Sequence, residues 1–309
     1  MIAVVFGLLV FALGACVGSF LNVVIYRVPL ERSVARPASR CPACETPLVW
    51  WQNTPILGYL LVRGRCACCA APLSLRYPLV ELAGGLLALA LFADFAGGPP
   101  TAAVLADPRF AIDVLVPFVL YLTFVGGLVA VAFIDLDWFV LPDGLTLGGV
   151  PLGLAASYAA GRHIGVSWQQ AALGAALGAG VILVAIYAYG ALTGRAGMGG
   201  GDWKLLGAIG AWLGWPAIPL VIAAASAQGL VLALLFRRSF ALAALPPDPR
   251  DLIAAGEAGH GAPAAPPPAE EAAPASFRHL AVPYGPFLAL SAVEFLLFRD
   301  EIRALIGGG

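Results

Sequence analysis

Long runs of apolar residues with almost no charge most constrain how this chain can fold. A helix needs about twenty apolar residues to cross the hydrocarbon core of a bilayer. Hydrophobic residues make up 61% of the 309 residues and charged residues only 11%, against roughly 25% charged residues in an ordinary soluble domain. This composition excludes a water-soluble fold. The apolar runs cover residues 1–26, 79–96, 112–134, 145–160, 169–192, 205–215, 217–236 and 280–298.

We therefore predict an all-α polytopic membrane protein with about eight transmembrane helices, one for each run. The run at 205–215 is short and ends at Pro216, so it is either a crossing helix or a partial or re-entrant one. The formal net charge of −1 provides no bulk attraction for a polyanion. We expect membrane lipid as a partner and no nucleic acid.

Arginines follow the first apolar run rather than precede it. Arg27, Arg32, Arg36 and Arg40 lie in the polar segment that begins after residue 26. Because positively charged loops stay in the cytoplasm, this segment is predicted to be cytoplasmic and the N-terminus periplasmic. A signal peptide would carry its positive charge before the apolar run, so the run is predicted to be a span.

Changes in composition divide the chain into five predicted segments. Residues 240–279 are rich in Ala, Pro and Glu and hold too few large apolar side chains to form a core, so we predict a disordered cytoplasmic linker there. The segments are a first transmembrane helix (1–26), a cytoplasmic four-cysteine insert (27–78), a transmembrane core (79–239), the linker (240–279), and a last transmembrane helix with a C-terminal tail (280–309).

The insert contains two C-x2-C pairs. Cys41 and Cys44 form the first pair, and Cys66 and Cys69 form the second after a gap of 21 residues. This spacing is typical of a tetrahedral zinc site with four thiolate ligands. A small insert has little core of its own, and a bound metal ion would contribute folding free energy. We therefore predict a structural zinc ion.

Two alternatives for the cysteines stay open from the residues alone. The four cysteines could form two disulfides, although the reducing cytoplasm disfavours them. Cys68 stands between Cys66 and Cys69 and could replace either of them as a metal ligand. The zinc interpretation therefore leaves the identity of the fourth ligand to be decided by the fold.

Aspartates stand at the ends of predicted spans, where an ionisable side chain is costly and indicates function. Asp135 directly follows the run that ends at Ile134, and Asp202 follows Gly199 and Gly201. Glycines without a Cβ let a peptide backbone approach closely. Two neighbouring carboxylates resist double ionisation, so one keeps its proton. Such a pair suits aspartyl proteolysis, in which one group activates water and the other protonates the leaving amine.

Simpler roles compete for these and nearby side chains. Asp202 could cap a helix N-terminus, and capping is the preferred interpretation for Asp143, which follows Pro142. Asp137 is predicted to be solvated. Lys204 is the only lysine in the chain and lies two residues from Asp202, where its ammonium would favour an ionised carboxylate. It could equally anchor the span at the membrane surface.

Several motifs, in this chain order, resemble those of the type IV prepilin peptidase family. The resemblance covers almost the whole chain except the tract at 240–276 and the loops predicted to lie outside. The motifs are GSFLNVVIYRVP (18–29), the two C-x2-C pairs, LRYPLVEL (75–82), IDLDWFVLPD (134–143), GMGGGDWKLL (197–206) and VPYGPFLAL (282–290).

The resemblance implies a bifunctional inner-membrane enzyme of the GxGD aspartyl class, with residues 79–239 as its peptidase core. Such an enzyme cleaves the leader from the N-terminal segments of type IV prepilins and pseudopilins, after a glycine at the cytoplasmic face. It then methylates the new N-terminal residue with S-adenosylmethionine. By motif, Asp135 and Asp202 are the catalytic pair, and the four insert cysteines bind metal. We expect Gly199, Gly201 and Lys204 to support Asp202.

The methyl-transfer site is not marked by a motif, because the chain has no βαβ unit that would hold the cofactor. It must be built from the insert and the span ends. Glu81 and Asn22 could serve it, although we favour a role as interhelical hydrogen-bond partners. The sequence departs from the family pattern at Glu45, where glycine is usual, and in the additional Cys68.

Three other functions are compatible with parts of the pattern. One is a peptidase without methyl transfer. Another is an ion-coupled transporter, which would place carboxylates near the bilayer midplane and show a repeat between its halves. The third is a docking module formed by the four-cysteine insert, with the spans as anchorage. The aspartates would be dispensable in that last case.

Overall fold

The computed structural model describes residues 2–41, 43–98, 102–194, 200–235 and 283–307, together with positions 249 and 253. Within these residues the chain is mainly helical, and its β structure is confined to two isolated bridges, Arg40 to Pro47 and Arg65 to Pro72. The predicted all-α fold is confirmed. Gly199 lies outside the described residues, as does the predicted linker at 240–279 apart from the two single positions.

The described residues form two compact units, and residues 2–110 with positions 249 and 253 make up the first. Its two long helices are joined by the four-cysteine insert. The second long helix ends at Gly97, whose φ of 67° is the left-handed conformation that glycine adopts readily. The helices are α1 (Ile2–Arg27), α2 (Leu57–Leu61), α3 (Arg76–Ala96) and α4 (Ala102–Ala106).

The second unit comprises residues 111–235 and 283–307 of the described chain. A π-helical turn, Ala111–Leu115, leads into its first long helix. The helices are α5 (Val116–Trp138), α6 (Asp143–Thr146), α7 (Gly149–Ile164), α8 (Trp168–Thr193), α9 (Asp202–Leu213), α10 (Ala217–Leu235), α11 (Gly285–Leu297) and α12 (Arg299–Gly307).

Every predicted apolar run contains a helix, but the helices differ in length. Five segments are long and apolar enough to cross a membrane: α1, α3, Ala111–Trp138, α8 and α10. The chain is therefore a multi-pass membrane protein. The other three runs form shorter helices, α7 with 16 residues, α9 with 12 and α11 with 13, below the length of about 17–25 residues typical of a span. The number of eight spans stays a prediction.

Direct backbone contact between α1 and α3 holds the first unit together. A Cβ at Gly18 would lie 2.6 Å from the carbonyl oxygen of Val80, and one at Gly84 would lie 2.5 Å from the carbonyl oxygen of Gly14. Lipid tails are as apolar as the side chains of a membrane helix, so close packing rather than water exclusion drives helix association. Small residues four positions apart make that packing possible.

Contacts on two sides set the position of α9 in the second unit. Gly174 of α8 and Gly210 of α9 each face the other's carbonyl oxygen, which leaves no room for a Cβ. On another side, the Trp212 ring stacks on Phe124 of α5 with 5.0 Å between ring centroids. The indole N–H of Trp212 donates to the Gly149 carbonyl of α7 at 2.9 Å. These contacts fix the C-terminal half of α9 against α5, α7 and α8.

The glycine contact in the first unit predicts a position-specific loss of stability. Replacing Gly84 by Ala forces a Cβ against the Gly14 carbonyl, so the free energy of unfolding is expected to fall by about 1–3 kcal/mol. Gly180 of α8 has no atom within 4 Å of a built Cβ. Gly180→Ala is the matched control, and it should leave stability unchanged or raise it by up to about 1 kcal/mol. Denaturation of the purified protein in detergent measures both, and equal stability would contradict the prediction.

Candidate functional site

Asp135 lies in the last turn of α5 and is buried, with 5% of its surface exposed. Its Oδ2 accepts a hydrogen bond of 2.9 Å from the backbone N–H of Gly285, the first residue of α11. The helix ends three residues later at Trp138, and Phe139 closes it in the left-handed conformation with φ of 53°. A carboxylate in this apolar setting is costly unless it is hydrogen-bonded, and the N–H of Gly285 is the donor.

Asp202 is the first residue of α9 and is equally buried, with 6% of its surface exposed. The N-cap position belongs to Gly201, and no side-chain capping bond forms there. The helix-capping alternative for Asp202 is therefore wrong. Asp202 lies close enough to Asp135 and to Tyr284 for an electrostatic interaction with each.

Leu141 and two glycines form the surroundings of the two carboxylates. A Cβ at Gly201 would lie 2.6 Å from the Leu141 Cβ. A Cβ at Gly285 would lie 2.6 Å from the Asp135 Oδ2 and 3.2 Å from the Leu141 Cδ2. Neither glycine tolerates a side chain without movement of its neighbours. The structure thus brings Asp135 into one region with Gly201 and Asp202, which lie on a different segment of the chain.

Lys204 pairs with Asp143 and not with Asp202, the partner considered from the sequence. Its ammonium forms an ion pair with Asp143 Oδ1 at 2.5 Å. Asp143 opens α6, its preceding N-cap residue is Pro142, and no side-chain capping bond forms there, so the capping role predicted for Asp143 is wrong. The ion pair instead ties the segment after α5 to the first turn of α9. The structure thus pairs Lys204 with Asp143, and the support of Asp202 by Lys204 stays a prediction.

A pair of buried carboxylates in one unit can in principle carry out acid–base chemistry on a peptide bond. Two carboxylates that lie close together hold one proton more readily than two negative charges. One group can then take a proton from water while the other gives a proton to a leaving amine. The transporter alternative needs carboxylates near the middle of the spans, whereas Asp135 lies in a last turn and Asp202 opens a helix.

The four predicted ligand cysteines of the insert converge on one point in the first unit. The Sγ atoms of Cys41, Cys44, Cys66 and Cys69 all lie within 4.8 Å of one another. Cys41 to Cys69 and Cys44 to Cys66 are each 3.9 Å. Four sulfurs at the Zn–S distance of about 2.3 Å in a tetrahedron lie about 3.8 Å apart. The cluster therefore fits a four-thiolate metal site, and none of these cysteines is disulfide-bonded.

Cys68 lies outside this cluster. Its side chain is exposed, and the Thr46 hydroxyl donates to its Sγ at 3.5 Å. Its backbone N–H instead donates to the Cys66 Sγ at 3.4 Å. Cys69, not Cys68, is thus the fourth member of the cluster, which decides the alternative that the spacing left open.

The cluster is built from two copies of one short turn, RCPACETPL at 40–48 and RCACCAAPL at 65–73. In each copy the cysteine carbonyl accepts an N–H four residues on, from Glu45 in the first copy and Ala70 in the second, both at 2.9 Å. Glu45 and Ala70 have φ of 56° and 58°, a conformation that favours glycine. Glu45 stands where the family usually has glycine, but the turn still forms. Ala70, which is also not glycine, adopts the same conformation at the matching position of the second turn.

Hydrogen bonds within the turns favour thiolates at two of the cysteines. The Thr46 hydroxyl and backbone N–H lower the pKa of Cys44 to about 6. The backbone N–H groups of Cys69 and Cys68 lower the pKa of Cys66. Because the thiolate is the form that binds metal, each turn contains one cysteine whose hydrogen bonds favour that form, whereas burial raises the pKa of Cys41.

Sequence reasoning missed the residues of α11 that complete the Asp135 site. The motif at 282–290 carried the family resemblance but suggested no role for its members. Gly285 supplies the N–H to Asp135, and Tyr284 lies near Asp202 and pairs with the Ser226 hydroxyl at 3.1 Å. The available signal was Gly285 followed by Pro286 at the start of an apolar run. Such a pair begins a helix, and the first N–H groups of a helix have no partner within it.

Two family descriptions match the chain. The Bacterial Peptidase A24 N-terminal domain matches residues 12–95, and the Type IV leader peptidase family matches residues 122–234. The first match lies within the first unit and the second within the second unit. No solved structure matches the chain.

Curated relatives with high similarity carry one name, prepilin leader peptidase/N-methyltransferase. The protein from Myxococcus xanthus is 40% identical over 74% of this chain and 63% of its own length, so the chain spans less than two thirds of that relative. The protein from Neisseria gonorrhoeae is 39% identical over 73% of this chain and 80% of its own. The protein from Stutzerimonas stutzeri is 33% identical over 97% of this chain and 93% of its own. With both family descriptions and these relatives in agreement, the chain belongs to the type IV leader peptidase family.

Proposed function

We propose that this protein is a membrane aspartyl endopeptidase that removes the leader of type IV prepilins and pseudopilins. It cleaves after a glycine at the cytoplasmic face of the inner membrane. It then methylates the new N-terminal residue with S-adenosylmethionine. The observation that carries the proposal is the pair of buried carboxylates, Asp135 and Asp202, on two helices of one unit. The name of the curated relatives supports both activities.

The two aspartates take different roles in this proposal. A donated hydrogen bond stabilises the anionic form of a carboxylate, and Asp135 accepts one from Gly285. Asp135 is thus the base that takes a proton from the attacking water. Asp202 is the acid that protonates the leaving amine. After cleavage the proton positions are exchanged, and proton transfer between solvent and the pair restores the starting state.

The four-cysteine insert is the cytoplasmic structural module in this proposal, with zinc held by Cys41, Cys44, Cys66 and Cys69. The convergence of its four sulfurs supports the proposal of a bound metal ion. The ion would contribute folding free energy to an insert that has only a small core. The arginines that follow α1 support a cytoplasmic insert and a periplasmic N-terminus. In this proposal, the N-terminal segment of a prepilin reaches the aspartates at the boundary between the membrane and the cytoplasm.

Replacing either aspartate by asparagine tests the peptidase assignment. Asp135→Asn and Asp202→Asn each remove a proton-transfer group, so leader removal from a co-expressed prepilin should fall by about 10²–10⁴-fold. Asp137→Asn, two residues from Asp135 on the same helix, is the matched control and should retain processing. Immunoblots that separate precursor from mature pilin measure the result. Unimpaired processing by either variant at position 135 or 202 contradicts the assignment and favours the docking-module alternative.

Gly285→Ala tests the hydrogen bond that holds Asp135. The new Cβ would lie 2.6 Å from the Asp135 Oδ2, so the carboxylate must turn away from the N–H. We expect at least about a tenfold loss of cleavage rate, the equivalent of one lost hydrogen bond to a charged group. Gly229→Ala on α10 is the control, because a Cβ there meets the Phe287 ring at an ordinary 3.5 Å. Equal rates for the two variants would show that the bond is not required.

Metal analysis of matched cysteine variants tests the zinc site. The purified protein should contain about one zinc ion per chain. Cys69→Ser removes a ligand and should reduce the zinc content well below one, whereas Cys68→Ser should retain it because Cys68 lies outside the cluster. Plasma emission spectrometry gives the stoichiometry. Loss of zinc from the Cys68 variant alone would reverse the ligand assignment.

A further inference from the structure

A cavity of about 830 Å³ lies in the first unit, where the end of α1 and the start of α3 meet the four-cysteine insert. Sites for small molecules are typically clefts of about 300–1,000 Å³. Asp135 and Asp202 belong to the second unit, so this cavity is not part of the carboxylate site described above. Its lining therefore needs a separate explanation.

The deepest polar side chains of the cavity are Asn22 and Glu81. Asn22 is 5% exposed and donates from Nδ2 to the Tyr77 carbonyl at 3.2 Å. Its Oδ1 is buried and accepts no hydrogen bond from any described residue. Glu81 is 8% exposed, and its Oε2 accepts the Ile56 N–H at 2.6 Å. A buried acceptor without a donor is destabilising, so a ligand that donates a hydrogen bond to the Asn22 Oδ1 would remove that cost.

The outer part of the cavity is strongly basic. The Arg27 guanidinium donates to the Ser33 and Pro37 carbonyls at 2.9 and 2.8 Å, which folds the segment after α1 over the cavity. Guanidinium groups in a cluster favour a carboxylate or phosphate. The lining holds two carboxylates, Glu45 and Glu81, against five arginines, Arg27, Arg32, Arg36, Arg40 and Arg65.

Aromatic rings and the metal site complete the walls. Tyr26, Tyr59 and Tyr77 line the cavity, and tyrosine faces both stack on planar bases and attract cations. Cys41 and Cys66, two members of the thiol cluster, also lie in the lining. The cluster therefore forms part of the wall, and a metal ion bound there would hold that wall in place.

We propose that this cavity binds S-adenosylmethionine. Asn22 and Glu81 accept hydrogen bonds from the hydroxyl and amine hydrogens of its adenosine. The tyrosine rings contact the purine and the sulfonium, and arginines of the outer part bind the carboxylate of its methionine. The assignment rests on the proposed function, which requires this methyl donor. An anionic lipid headgroup would satisfy the arginines, but it has no planar group for the tyrosines.

Binding of S-adenosylhomocysteine to the full-length, zinc-loaded protein tests the site without measuring activity. Isothermal titration in phosphatidylcholine nanodiscs gives the affinity. In Glu81→Gln, the amide oxygen can still accept the Ile56 N–H, while the second acceptor oxygen becomes a donor. We expect about tenfold weaker binding or more, as for one lost hydrogen bond to a carboxylate. Glu294→Gln on α11, in the second unit, is the matched control and should bind as the wild type does.

Covalent labelling locates the ligand independently of any variant. Ultraviolet crosslinking of S-adenosylmethionine that carries a labelled methyl group, followed by peptide mapping, should mark peptides between residues 22 and 81. Label found only between residues 111 and 307 overturns the proposal. Zinc content of each variant, measured alongside, shows whether the insert remains folded. Removal of zinc by a chelator should abolish binding in the wild type.

The outcomes separate this site from the proposed function. A wild-type protein that cleaves prepilin but neither binds nor transfers the methyl group overturns both the site and the methyl-transfer half of the function. A wild type that binds and methylates, with unchanged affinity in Glu81→Gln and label outside 22–81, overturns the site alone. Phosphatidylglycerol in the nanodiscs should leave the affinity unchanged. Loss of binding there identifies a lipid headgroup site instead.

Discussion

The hydrogen bond from the Gly285 N–H to Asp135 joins the end of α5 to the start of α11, and the geometry of the carboxylate site depends on it. A helix start has backbone N–H groups without intrahelical partners, and a buried carboxylate needs a donor. Each therefore satisfies the other. The side chain at position 285 must be absent because the Asp135 oxygen occupies its place. This explains why a glycine, distant in sequence from both aspartates, belongs to their site.

Close backbone packing provides the rigidity that such a site requires. In lipid, apolar side chains gain little by leaving the solvent, so helices associate through shape and small residues. Gly14 and Gly84 serve this purpose in the first unit, and Gly174 and Gly210 serve it in the second. In the second unit, the close contact of α8 with α9 and the stacking of Trp212 against α5 hold the helix that begins at Asp202 against its neighbours.

The four-cysteine insert is not stabilised by close helix packing, because it is polar and has only a small core. Two copies of one turn present four sulfurs to a single point. The same turns bring Cys41 and Cys66 into the wall of the cavity that also contains Asn22 and Glu81. The proposed binding of zinc and the proposed binding of S-adenosylmethionine would be coupled in the first unit, since Cys41 and Cys66 belong to both sites.

Local patterns in the sequence were sufficient to place the eight helices of the apolar runs and to select the four clustered cysteines and the two buried aspartates, because apolar runs and C-x2-C spacing act over a few residues. They did not determine how many runs cross the membrane, since α7, α9 and α11 are shorter than a span. The pairing of Lys204 with Asp143, the N–H of Gly285 at Asp135, and the cavity at Asn22 depend on segments that are far apart in the chain. Only tertiary packing decides such contacts, because no local periodicity records which helix ends meet.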